Sequence, residues 1–207
     1  MAGFVHSKAL ILGASEVARL GRDIKRPVST RPEYIRPGFG ISEAEIRVYG
    51  VGGRTVDKTL HHDLWKVRHF KPAVVILHLG GNDLAVHGHE GQPEVVGRRL
   101  LQLCKILLTV YKVAKVVISE LNPRYPPYCG REYPSDYNER VAAVNAFLQD
   151  KVKSIPGVFF WQHKVSILYW PELVDPEDGV HFNPIGSKRW YKSLKGALLA
   201  ALRNRLL

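Results

Sequence analysis

Five short runs rich in β-branched and other apolar residues, at 8–12, 46–51, 73–79, 115–121 and 158–161, limit the fold of this chain more than any other feature. Several are apolar at nearly every position, the pattern of strands covered on both faces. Between them lie stretches with helical spacing. Residues 15–20 read as a short helix, and residues 56–67 carry Val56, Leu60, Leu64 and Val67 on one side. Residues 94–111 repeat Val95, Leu100, Leu103, Leu107 and Val110, and residues 136–152 repeat Val141, Val144, Phe147, Leu148 and Val152. A last helix spans about 187–206. Strands alternating with helices predict an α/β fold: a five-stranded parallel sheet wrapped by helices on both faces. In such a fold ligands bind beyond the C-terminal ends of the strands. The loops leaving those ends, notably 122–133 and 164–177, should therefore border any site.

The 207 residues, 45% hydrophobic and 24% charged, suit one domain with a sizeable core. The longest apolar runs, 197–202 and 73–77, are too short to span a bilayer. The N-terminus lacks the basic head and long apolar stretch of a secretory signal. A strand beginning near Lys8 fits a domain of a longer chain and also a short native protein. Cys104 lies in a helical run and Cys129 in a Pro/Tyr-rich loop, with no CxxC motif. That usage predicts free thiols and an intracellular, cytoplasmic location. The net charge of +11 attracts anionic surfaces without naming one, since Lys and Arg are spread along the chain.

Four segments carry chemistry. Gly13-Ala14-Ser15 follows the first strand and enters a helix. A serine there reads as an N-cap, or as a nucleophile at the positive end of the helix dipole. It is not the GxSxG elbow, because Val17 takes the second glycine position. Gly50-Val51-Gly52-Gly53-Arg54-Thr55 fails the dinucleotide fingerprint at Thr55 and lacks the Gly-Lys-Ser/Thr of a Walker loop. It reads as a tight turn, or as a backbone donor at Gly53 for a developing oxyanion. Gly80-Gly81-Asn82-Asp83 is turn chemistry, or a carboxamide donor at Asn82. Asp178-Gly179-Val180-His181 offers an imidazole base with a carboxylate three residues earlier to fix its tautomer. A metal site built from Asp83, His87 and His89 has no recognisable ligand spacing.

The order Gly-x-Ser, Gly-x-Thr, Gly-x-Asn-Asp and Asp-x-x-His resembles the SGNH hydrolases, also called GDSL-type esterases and lipases. The resemblance spans nearly the whole chain and implies a flavodoxin-like three-layer α/β/α sandwich. It implies Ser15 as nucleophile, Asp178 and His181 as the rest of a triad, and an oxyanion hole from Ser15, Gly53 and Asn82. One departure stands out: Ala14 replaces the Asp that usually precedes the serine. Residues 11–20, 76–84 and 178–183 further resemble the esterase domain in the first reading frame of some non-LTR retrotransposons. That likeness implies a protein working near RNA and membranes. The expected activity is hydrolysis of short acyl, acetyl-type esters, including those of lipids, without a cofactor and with no metal. Tyr169, Trp170 and Leu173 are candidates to line the acyl pocket. The alternative is a weakly active or inactive module of the same fold, holding RNA or anionic lipid on its basic surface.

Overall fold

The computed structural model describes residues 7–86, 88–127, 133–163 and 170–206. Cys129 and Tyr169 lie outside the described residues. Five strands form one parallel sheet: β1 (Ser7–Gly13), β2 (Ala44–Gly50), β3 (Val74–His78), β4 (Lys115–Ser119) and β5 (Val158–Trp161), in the order β2-β1-β3-β4-β5. Among the described residues seven α-helices accompany them: α1 (Ser15–Lys25), α2 (Val56–His62), α3 (Leu64–Phe70), α4 (Gly81–Leu84), α5 (Pro93–Thr109), α6 (Pro134–Lys151) and α7 (Pro184–Leu202).

Side chains alternate across each strand, so the sheet feeds two cores. Leu10, Leu12, Val75, Leu77, Val116 and Ile118 face one side and pack against α2, α3, α5 and α6. Ala9, Ile11, Val74, Ile76 and Val117 face the other and pack against α1 and α7. Right-handed crossovers explain the partition. The chain moves outward from β1 to β2 through α1, then back over β1 to β3 through helices on the opposite face. It continues to β4 and β5 on that same face, and α7 returns across the first. β1 and β3 are adjacent, yet the connections leaving them run in opposite directions. A crevice therefore opens at their C-terminal ends, where Gly13 pairs with His78.

The expected single helix over 56–67 is interrupted. α2 ends at His62 and α3 begins at Leu64, with Asp63 between them at 1% exposure. The Asp63 carboxylate accepts from Arg54 Nε and Nη2 at 2.8 and 2.9 Å and from the Tyr49 hydroxyl at 3.2 Å. A carboxylate drawn inward by a bidentate guanidinium accompanies the break in the helix face. The short α4, over residues read as turn chemistry, is the other element the periodicity does not show. It is too brief to carry a period.

The approach of α1 to the sheet depends on Gly50. A Cβ there would lie 2.3 Å from the Ala18 backbone nitrogen and 2.6 Å from the Val17 carbonyl carbon. Neither backbone atom can yield without displacing α1. Gly50→Ala is expected to lower the unfolding free energy by at least about 2 kcal/mol, measured by urea denaturation.

Candidate active site

Ser15 is the first residue of α1, and the N-cap position belongs to Ala14, whose side chain has no oxygen to cap with. The capping role open to Ser15 in the sequence therefore falls away. The Ala14 N–H donates to the His78 carbonyl at 3.2 Å, tying the turn after β1 to the end of β3. Ser15 is thus held at the crevice, half-buried, at the positive end of an eleven-residue helix.

The second and third segments are bonded to each other. Asn82, on α4, donates from Nδ2 to the Arg54 carbonyl at 2.9 Å. Asp83 accepts from the Val56 N–H through both carboxylate oxygens, at 3.0 and 3.2 Å. Burial outweighs that donor and pushes the Asp83 carboxyl up to about 6. Gly53 is exposed with φ +69, and this left-handed conformation is what glycine tolerates there. The Arg54–Asp63 pair anchors the residue that follows it.

The fourth segment brings Asp178 and His181 together at 2.7 Å between Oδ2 and Nδ1. The Val180 and His181 N–H groups donate to Asp178 Oδ1 at 2.8 and 2.9 Å. Burial opposes the charge on Asp178, but these two donors and the imidazole together hold its carboxyl below the ordinary value. From α1, Arg19 Nη2 reaches Asp178 Oδ2 at 3.5 Å. Asn183 caps α7 by accepting from the Ile185 and Gly186 N–H groups, both at 3.0 Å. The imidazole therefore sits just before a capped helix, on a loop braced from both sides.

A cavity of about 60 Å³ lies beside Ser15 and Asn82. Leu79, Leu121 and Tyr137 supply apolar wall; Glu16, Asn122 and Arg124 supply polar wall. The Tyr137 hydroxyl donates to the Gly81 carbonyl at 3.1 Å, and Arg124 Nη2 donates to the same oxygen at 3.2 Å. Val180, one residue before His181, also borders the cavity, whereas Gly53, Trp170 and Leu173 do not. Leu173 is buried at 1% exposure, and Trp170 is 42% exposed with the Arg189 guanidinium 5.2 Å from its ring centroid. No hydrogen bond joins Ser15 to His181 among the described residues; the two segments meet instead through Glu16, which accepts from the Phe182 N–H at 3.2 Å.

A sequence profile of the GDSL-like lipase/acylhydrolase family matches residues 12–189. The chain belongs to this family. It is accordingly a carboxylic ester hydrolase, and the five-stranded parallel sheet is the family's fold. Solved structures agree on the fold. A GDSL-like lipase from Bacteroides thetaiotaomicron is 19% identical, with 95% of this chain and 89% of that chain covered and a TM-score of 0.65. A carbohydrate esterase family 3 protein from Talaromyces cellulolyticus is 15% identical over 96% and 99%, with a TM-score of 0.67. A mutant acetyl esterase with acetate ion is 15% identical over 96% and 99%, with a TM-score of 0.68. No curated protein sequence matches the chain significantly.

This GDSL-like acylhydrolase also holds a second histidine–serine arrangement that no sequence motif announces. Ser119 Oγ lies 3.2 Å from His78 Nδ1 and 3.1 Å from His163 Nε2. His163 Nδ1 is 2.7 Å from Ser193 Oγ, which accepts from Trp161 Nε1 at 3.0 Å. Ser119 is fully buried at the end of β4 and does not border the cavity. Burial pushes His78 down to about 4; burial, then the neighbouring His78, pushes His163 down to about 3. Both rings are neutral at pH 7, so each has one donor and one acceptor nitrogen, those of His163 meeting the two hydroxyls and those of His78 meeting Ser119 and, at 3.3 Å, Asn122 Nδ2. The chain of groups satisfies buried polar atoms between β3, β4 and α7; Ser119, at its centre, is sealed from the cavity, which His78 borders from the other side.

Two outcomes follow for this network. Ser119→Ala should cost about 1–3 kcal/mol of stability by leaving ring nitrogens unpaired, while the folded variant keeps its esterase rate. His163 takes up a proton in the unfolded chain near pH 6.5 but in the folded chain only near 3. It therefore removes stability as pH falls through that window. The stability deficit of His163→Gln relative to the parent, large at pH 7, should shrink on acidification toward pH 3 in urea titrations.

Proposed function

We propose that Ser15 attacks the carbonyl of a short acyl ester, with His181 as the general base held in its tautomer by Asp178. The observation that carries this reading is the shared cavity. An uncapped serine hydroxyl and the Asn82 carboxamide border one small concavity, and the Asp178–His181 pair is joined to the serine's helix beside it. The Ser15 Oγ proton passes to His181 Nε2 as the Oγ–carbonyl bond forms. The oxyanion then collects the N–H groups of Ser15 and Gly53 and the second N–H of Asn82 Nδ2, whose first is given to Arg54. His181 returns the proton to the leaving alcohol as the ester bond breaks. Water, deprotonated by the same imidazole, resolves the acyl-enzyme. Negative charge develops at the N-terminus of α1, where the helix dipole favours it.

Cavity size supports a short acyl group. One water needs about 10–15 Å³ on the same measure, so 60 Å³ admits about four to six such positions, enough for an acetyl or propionyl group. The likeness to an acetyl esterase with acetate ion is in keeping with this choice. Leu79, Leu121 and Tyr137 would receive the methyl end.

Ser15→Ala should lower kcat on a chromogenic acetate by at least about 10³-fold. Asn82→Ala should lower it by about 10²–10³-fold. In the parent protein kcat/KM should fall at least about tenfold from the acetate to the hexanoate ester. A full rate in purified, folded Ser15→Ala would overturn the mechanism, and a preference for hexanoate would overturn the acyl assignment.

A further inference from the structure

Glu16 immediately follows Ser15 and, among the described residues, is the one carboxylate on the cavity wall. It is 9% exposed, and its Oε1 accepts from the backbone N–H of Phe182, the residue after His181. One turn further along α1, Arg19 reaches Asp178. Two side chains of the nucleophile's own helix thus grip the loop bearing the imidazole, an acceptor on its backbone and a cation on its carboxylate. A shift of that loop relative to α1 would alter the separation of Ser15 and His181 directly, since each flanks one end of the Glu16–Phe182 bond.

We propose that Glu16 is a positioning residue, a pH-dependent strut that sets the spacing between the Ser15 helix and the His181 loop. The inference rests on the mechanism above. An ionised carboxylate accepts an N–H bond roughly twice as strongly as a neutral acceptor. Protonation weakens the strut and adds a hydroxyl hydrogen that must find its own acceptor in a confined cavity.

Burial places this change within the working range. Burial raises the Glu16 carboxyl to about 7; the Phe182 N–H and Arg19 oppose the rise, and Asp178 adds to it. The titratable and charged groups facing it are Arg19 on α1, Asp178 and His181 on the loop, and Arg124 and His78 on the cavity wall. His78 stays neutral down to about pH 4, so it does not titrate with Glu16. The strut holds above pH 7 and slackens as pH falls through it. The acid limb of the rate profile then carries the proton taken up by the strut.

The test uses the full chain with a chromogenic acetate between pH 5 and 9, with Glu16→Gln and Glu16→Ala. The parent's log kcat/KM should bend downward on the acid side as pH falls through about 7. Glu16→Gln keeps an acceptor of the same shape but cannot ionise. As a neutral acceptor it stands for the protonated parent, so it should lower the plateau kcat at least about threefold and lack the bend near pH 7. Glu16→Ala removes the acceptor and should lower plateau kcat at least about tenfold with little change in KM. A second readout is independent of turnover: the Phe182 amide resonance of ¹⁵N-labelled protein should titrate near pH 7 in the parent and stay flat in Glu16→Gln. Superimposable profiles for the parent and Glu16→Gln, or a Phe182 amide that does not titrate, would overturn the strut. If the amide titrates as described but no ester is hydrolysed, the assignment of function fails and the strut stands.

Discussion

The pairing of β1 with β3 is the constraint on which the rest depends. These neighbouring strands send the chain in opposite directions, and Gly13 opposite His78 marks the end of their ladder. Every segment of chemical interest is placed relative to that point. Ser15 begins the helix leaving β1, Gly80 and Asn82 begin the turn leaving β3, and Ala14 bonds back to His78 across the gap. Gly50, at the end of β2, keeps α1 close enough for this to hold. The crevice is a consequence of strand order. With α1 packed closely against the sheet, the cavity there measures about 60 Å³.

Around that crevice, carboxylates do the organising. Asp63 holds Arg54 under the Gly53 turn, and Asp83 holds the start of α2. Asp178 holds the imidazole, and Glu16 holds the loop behind it. Their environments set their protonation differently. Asp178 gathers two backbone donors and an imidazole and stays ionised. Glu16 has a single backbone donor against deep burial, so its charge is costly near neutrality. Carboxylates of the same chain thus serve as a fixed charge in one place and a titrating one in another, through the number of N–H groups each receives.

Much of the fold was legible because its signals are local. Runs such as 73–79 and 115–121 are apolar throughout and short, which marks buried parallel strands, and α5 and α6 repeat their apolar positions over several turns. The break at Asp63 was hidden because its cause, Arg54, lies outside the helical window. Trp170 and Leu173 were reasonable candidates for an acyl pocket on composition alone. The structure leaves one partly in solvent under Arg189 and packs the other in the core, away from the cavity. Glu16, Asn122, Arg124 and Tyr137 border the cavity without belonging to any motif. Their signal in the sequence is faint: Glu16 is an acid on the apolar side of a short helix beside the serine.

By itself the sequence determined the layer architecture and the inventory of reactive groups, since hydrophobic periodicity and glycine-bounded motifs are properties of neighbours along the chain. It also determined the family, through four blocks whose order is independent of geometry. Tertiary structure alone decided that Ser15 borders a cavity while Ser119 is sealed in the core. It alone decided that Ser15 is free of capping, that the cavity is small, and that Glu16 joins the two halves of the site. Those outcomes depend on burial and on hydrogen bonds between residues as much as 166 positions apart. Such distances are set by the crossing of strands and not by any local preference of the chain.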